Sequence, residues 1–197
     1  MNKPKLTPSR VLVTGFALII FFGALALTLP AASRNGHPTG FLTALFTATS
    51  AVCVTGLVVV DTGTHFSGFG QFMIILLIQI GGLGIMTMST LIALLLRKRI
   101  GLRERILIRE SFNQFNLSGL VRLIINVIIM TLAFEIVGGL ILSLWFLRQF
   151  PADRAFEFGF FHAVSAFCNA GFDLFGPVYG KFSSITHYVN DWVVTLT

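Results

Sequence analysis

The chain has 197 residues, 55% of them apolar and only 11% charged, with a mean hydropathy of +0.86 and a net charge of +6. Soluble domains carry about 25% charged residues, so this composition excludes an ordinary soluble fold and points to an integral membrane protein. Ten of the fourteen basic residues stand in two places, Lys3, Lys5 and Arg10 before the first apolar run and Arg97 to Arg122 after the third. The positive-inside rule accounts for both clusters without a nucleic-acid partner.

Residues 1–10 are expected on the cytoplasmic side. Val11 to Leu29 is an apolar run of 19 residues. "LPAAS" at its end imitates a signal-peptide cleavage site, but a signal core has only roughly 7 to 15 residues, so a retained span is expected. Pro30 to Gly40 reads as a loop rich in Pro, Gly, Ser and Asn. Phe41 to Val52 suits a helix, yet its 12 residues reach about 18 Å, which is too short to cross a hydrocarbon core of about 30 Å.

"CVTGL" over 53–57 is too β-branched and glycine-containing to continue that half-helix. Gly70 to Leu96 is then expected to span, interrupted by Gln79 and by Gly81, Gly82 and Gly84, whose role is close helix approach or a bend. The basic segment 97–122 follows as a cytoplasmic linker. Leu123 to Leu147 is the next span, with Glu135 near its middle. A second short helix is expected over 155–167, then an irregular stretch at 168–172 and a polar loop. A new apolar run begins at 191–197.

The two irregular stretches are copies of each other. A shift of 115 residues aligns Phe46 with Phe161, Ala48 with Ala163, Ser50 with Ser165, Ala51 with Ala166, Cys53 with Cys168 and Gly56 with Gly171. Apolar sequence matches itself by chance, but Ser, Cys and Gly in one register do not, so the match marks an internal repeat.

Non-helical backbone at membrane depth is tolerated only where it is buried in protein or lines a watery cavity. A half-helix that returns as an extended strand leaves carbonyls free to replace a cation's hydration shell, with glycine at the tightest point. The expected fold is therefore all-α and integral to the membrane, built from helix–pore-loop–helix repeats. The first repeat occupies 11–96; the second, 123–197, lacks its last helix. The filter backbone is expected at Cys53, Val54, Thr55 and Gly56, and again at Cys168, Asn169, Ala170 and Gly171.

"FTATSAVCVTGL", "LLIQIGGLGIMT" and "FHAVSAFCNAGFD" resemble the potassium-translocating subunit of bacterial Ktr/Trk-type uptake systems, whose superfamily includes plant high-affinity potassium transporters. The resemblance implies potassium uptake across the bacterial inner membrane by a multi-pass protein. It also implies four linked repeats, one filter glycine per repeat, a homodimer, and a cytosolic nucleotide-binding regulatory subunit. Those glycines map onto Gly56 and Gly171, and glycine rather than serine at Gly56 is what favours potassium over sodium in the plant relatives. Having one whole repeat and most of a second, the chain reads as the N-terminal part of such a subunit. The alternative is a non-transporting fragment or a structural membrane subunit.

Other polar residues carry two readings each. Glu135 is either an ion-pathway ligand or, as favoured here, a structural acceptor for pore-loop backbone. Asp61 and Asp173 are either acids concentrating cations at the outer mouth or solvated loop acids. Gln79 and Asn126 suit helix–helix hydrogen bonds. His65, His162 and His187 lack metal-ligand spacing, so no metal beyond the transported potassium and no cofactor is expected. Cys53 and Cys168 are expected to be small buried thiols. The basic segment serves either as a topology signal with lipid contact or as a docking surface for a regulator. An enzyme is disfavoured, because the repeat duplicates Ser and Cys but sets Thr47 against His162.

Overall fold

The computed structural model describes residues 8–84, 87 and 120–197. Most of the basic segment expected over 97–122 lies outside the described residues, as do Lys3 and Lys5. Among the described residues the chain is helical, and strand-type pairing is limited to one isolated antiparallel bridge between Ser33 and Phe66.

Helix α1, Pro8–Thr28, ends where Pro30 forces the preceding Leu29 into an extended conformation (φ −61°, ψ 142°). Helix α2, Phe41–Val52, has the 12 residues expected of the first half-helix. A single turn, α3 (Thr62–His65), precedes α4 (Gly68–Leu83), which opens with the Ser67 hydroxyl accepting from the Gly70 N–H at 3.3 Å.

The third apolar run was expected to be one span over 70–96. Instead α4 stops at Leu83, because Gly84 takes φ +79° and its N–H folds back to the Gly81 carbonyl at 3.2 Å. Apart from Thr87, residues 85–96 lie outside the described residues.

Helix α5, Leu120–Phe146, contains the stretch Ile124–Phe146, the one helix among the described residues long and apolar enough to cross a membrane. Helix α6, Ala152–Phe167, begins three residues before the expected 155, with Pro151 in extended geometry at its N-cap and Asp153 in its first turn, where the helix dipole favours an acid. A short turn α7 (Gly176–Tyr179) and a 3-10 turn (Ile185–Tyr188) lead to α8, Trp192–Leu196. Asp191 caps α8, one oxygen accepting from the Val193 and Val194 N–H groups and the other from Trp145 Nε1 at 2.7 Å.

Helices α1, α2 and α4 pack together, α5 packs along α6, and α4 also meets α6, so one body joins both copies of the repeat. Small residues set the close approaches: at Gly23 a Cβ would stand 2.7 Å from the Leu77 side chain, and at Gly139 2.6 Å from Phe160. The outward faces of α1 and α5 stay apolar, with Phe22, Ile129, Met130 and Phe134 more than half exposed. A helix that is apolar all round belongs in hydrocarbon rather than at a water-facing surface. Where α5 ends and α6 begins, Phe146, Phe158 and Phe175 pack edge-to-face around His162, which stacks on Phe175 at 4.3 Å.

Candidate functional site

Both half-helices end the same way. The N–H of Val54 bonds the carbonyl of Ala51 (3.3 Å), and that of Thr55 bonds Ser50 (3.0 Å). In the second copy, Asn169 bonds Ala166 (2.9 Å) and Ala170 bonds Ser165 (2.6 Å). This is the Schellman closure, in which the residue after the C-cap turns left-handed. Val54 and Asn169 do so, both with φ 55°, and Gly56 and Gly171 follow with φ 72° each. Two left-handed residues separated by one other keep residues 53–57 and 168–172 out of both helix and regular strand.

Glycine or asparagine normally occupies the left-handed cap, because a β-branched side chain there crowds its own backbone. Asn169 fits this rule, and its presence after an apolar helix was a readable C-cap signal that sequence reasoning missed. Val54 violates the rule, so nothing local announced its conformation. Asn169→Val is expected to cost about 1–2 kcal/mol through left-handed strain, because the Asn169 side chain is exposed and little packing changes. Thermal unfolding in detergent should show this loss, with Asn169→Gly close to wild type; an unshifted midpoint for valine would remove the strain argument.

The repeated serines pin each loop by different routes. Ser50 Oγ shares a hydrogen bond with Thr55 Oγ1 at 2.9 Å, whereas Ser165 Oγ donates to the Phe172 carbonyl at 2.7 Å. His162 is committed too. Its Nδ1 pairs with the Phe158 carbonyl at 2.6 Å and its Nε2 accepts from the Leu174 N–H at 3.3 Å, so Nδ1 carries the proton. His65 pairs with Thr39 at 3.0 Å and His187 stacks on Tyr179 at 4.1 Å. Among the described residues no group of three His, Cys, Asp or Glu could hold a metal ion.

The two loops touch. A Cβ on Gly56 would stand 2.7 Å from the Ala170 carbonyl oxygen and 3.2 Å from Gly171 Cα, and one on Gly171 would stand 3.3 Å from Gly56 Cα. Ala170 is fully buried; Val54, Gly56 and Cys168 are half-buried; Thr55, Asn169 and Gly171 are exposed. Cys53 is exposed as well and Cys168 only half-buried, against the expectation of buried thiols, since each stands at a C-cap where its half-helix ends.

Helix α4 braces both loops from behind. Gly81 lies against the backbone of Val52 at the foot of the first loop, and a Cβ on Gly82 would come within 2.7 Å of Cys168 Sγ at the foot of the second. Close approach is therefore the role of these two glycines, and a helix stop that of Gly84.

Glu135 was expected to accept from pore-loop backbone. It is buried, but its Oε2 accepts from Gln79 Nε2 at 3.2 Å, and Oε1 has no partner among the described residues. The reason is geometric: at this depth the polar group that reaches its carboxylate is the Gln79 side chain of α4 rather than loop backbone. Asn126 is exposed on α5.

Neither expected reading of Asp61, mouth acid or solvated loop acid, survives, since its carboxylate is buried. Oδ1 accepts from the Thr64 N–H at 2.7 Å and Oδ2 from the Phe182 N–H at 2.8 Å, with the α-carbon of Gly176 pressed close enough to exclude a side chain. Asp61 staples the segment after the first loop to the segment after the second. Asp61→Ala should cost about 2–4 kcal/mol, because it orphans two charge-assisted donors, and Asp61→Asn should cost less. A thermal midpoint unchanged in the alanine variant would contradict this role. Asp173 remains half-buried, accepts from the Phe175 N–H at 3.0 Å, and lines an open cavity of about 160 Å³ with Asn169, Gly171 and Ser184.

The family model "TrkH: Cation transport protein" matches residues 9–197. The chain is 43% identical over 174 residues to the potassium/sodium uptake protein NtpJ of Enterococcus hirae, covering 88% of this chain and 39% of that one. It is 43% identical over 192 residues to the Ktr system potassium uptake protein B of Bacillus subtilis, covering 98% and 41% respectively. Its counterpart from Vibrio alginolyticus is 37% identical over 196 residues, 100% of this chain and 41% of that protein. The chain thus spans about two fifths of the length of these relatives. With the helical architecture and the paired loops already described, these matches establish that the chain belongs to the TrkH family of cation transport proteins.

Proposed function

We propose that the chain forms part of a potassium uptake path across the bacterial inner membrane, with the backbone of 53–57 and 168–172 supplying carbonyl oxygens to the dehydrating ion. One observation carries this reading: two loops 115 residues apart share the same left-handed residues and meet backbone to backbone at Gly56 and Gly171. An ion that sheds its hydration shell needs oxygens at the axis and no side chain in the way. The membrane potential supplies the drive, about 2.3 kcal/mol per charge for each 100 mV.

In this reading the lipid bilayer surrounds the helices, the N-terminus is cytoplasmic, and Asp173 stands near the entrance. A second copy of the chain and a cytosolic nucleotide-binding regulator complete the assembly. The relatives' designation as protein B of a Ktr system supports a regulator, and the exposed Arg10 and Arg122 suit the cytoplasmic side.

The test is potassium and sodium uptake by the protein expressed from its gene in a transport-deficient cell, wild type beside Gly56→Ser. Wild-type potassium uptake that loses its preference in the variant is the expected result. An unaltered preference overturns the filter assignment.

A further inference from the structure

Helix α4 carries three contacts within four residues. Gly81 abuts Val52, Gly82 abuts Cys168, and Gln79 reaches across to Glu135 on α5. Residues three apart share a helix face, so Gln79 lies on the same side of α4 as Gly82 and therefore beside the foot of the second loop. A buried carboxyl held by one amide is costly to place in a membrane and is retained where it does something. Packing alone does not need it, since among the described residues α4 meets α6 and α5 packs along α6, which leaves little direct α4–α5 packing for the pair to serve.

We propose that Gln79 and Glu135 are positioning residues for ion selection: their hydrogen bond fixes α4 against α5 and so sets where Cys168 to Phe172 stand relative to Gly56. This inference rests on the uptake reading above, because it assigns the pair a part in that selectivity. A site that discriminates between cations of similar chemistry must hold its ligands within about 0.5 Å, which demands a rigid support behind the loop. One hydrogen bond with a single acceptor oxygen is a support that small changes can loosen.

The experiment measures the potassium-to-sodium uptake ratio, normalised to the amount of folded protein that elutes as one dispersed species in detergent. Glu135→Leu removes the acceptor, and Gln79→Asn keeps the amide but shortens its reach. Each is expected to lower the ratio by up to about tenfold, the factor that corresponds to one hydrogen bond. Glu135→Gln retains an acceptor oxygen and should stay within about twofold of wild type, with lowered folded yield as the visible defect. The reversed pair, Gln79→Glu with Glu135→Gln, should bring the ratio back to within about threefold of wild type, since donor and acceptor simply change sides.

Folded Glu135→Leu or Gln79→Asn protein with an unchanged ratio would mean that the pair only holds the fold, and so would a reversed pair that fails to rescue. Should the Glu135→Leu protein not accumulate, the Gln79→Asn and reversed-pair arms decide. A wild type that takes up no potassium removes the uptake reading itself and this inference with it, whereas an unaltered ratio beside a transporting wild type removes this inference alone.

Discussion

In the proposed uptake path, replacing Gly56 by serine is expected to cut the preference for potassium over sodium by tenfold or more, about 1.4 kcal/mol on the ion's choice of site. Two effects act together. Gly56 holds φ +72°, where a residue with a side chain is strained by about 1–2 kcal/mol. In addition, the new Cβ would lie 2.7 Å from the Ala170 carbonyl oxygen, a backbone atom of the other loop that cannot swing aside like a flexible side chain. The first loop must therefore move, and any oxygens it offers to the ion move with it.

The structure also orders the two glycines. Among the described residues a Cβ on Gly171 meets only Gly56 Cα, at 3.3 Å, so Gly171→Ala should disturb uptake less than Gly56→Ala. Parallel flux measurements on the two alanine variants check this order. Equal effects would mean that left-handed strain alone, identical at both positions, governs the loss.

A large effect on folding is expected at Gly159. A Cβ there would collide with the Ser143 hydroxyl and would stand 2.6 Å from the Ser143 nitrogen and 2.8 Å from its Cα. Ser143 is fully buried in α5, and the α5–α6 interface is the most extensive in the described residues. Two helices whose backbones approach this closely separate only by giving up dispersion along their whole contact. Gly159→Ala should cost about 2–3 kcal/mol, and Gly159→Leu should leave no folded protein.

Gly68 is the matched control. It opens α4 with nothing among the described residues within 4 Å of its would-be Cβ, so Gly68→Ala should be neutral or stabilise by up to about 1 kcal/mol. Folded yield and thermal midpoint in detergent measure all three variants. A Gly159→Ala protein as stable as Gly68→Ala would show that the helices can separate without loss.

The half-helices, the irregular stretches after them and the register of the repeat could all be read from residue order, because each depends on segment length and on glycine and polar residues interrupting apolar runs. The stop at Gly84 was half legible: glycines were expected to bend or pack the helix, but which of the three would do which depended on the neighbours each one meets. Asp61 was misread for a similar reason. An aspartate in a polar loop resembles a solvated acid until the N–H of Phe182, 121 residues away, is brought to it.

What residue order determined by itself is residence in the bilayer, the two half-helices and the paired glycines, since hydropathy, span length and spacing are properties of neighbouring residues. What only the tertiary structure decided is who meets whom: Gly56 with Ala170, Gln79 with Glu135 across 56 residues, and Asp61 with Phe182. It also decided the left-handed turn at Val54, which local preference opposes and the surrounding contacts impose. Such pairings follow from how helices of given width and surface fit together, and that fit is set by the whole packed body rather than by any one stretch of chain.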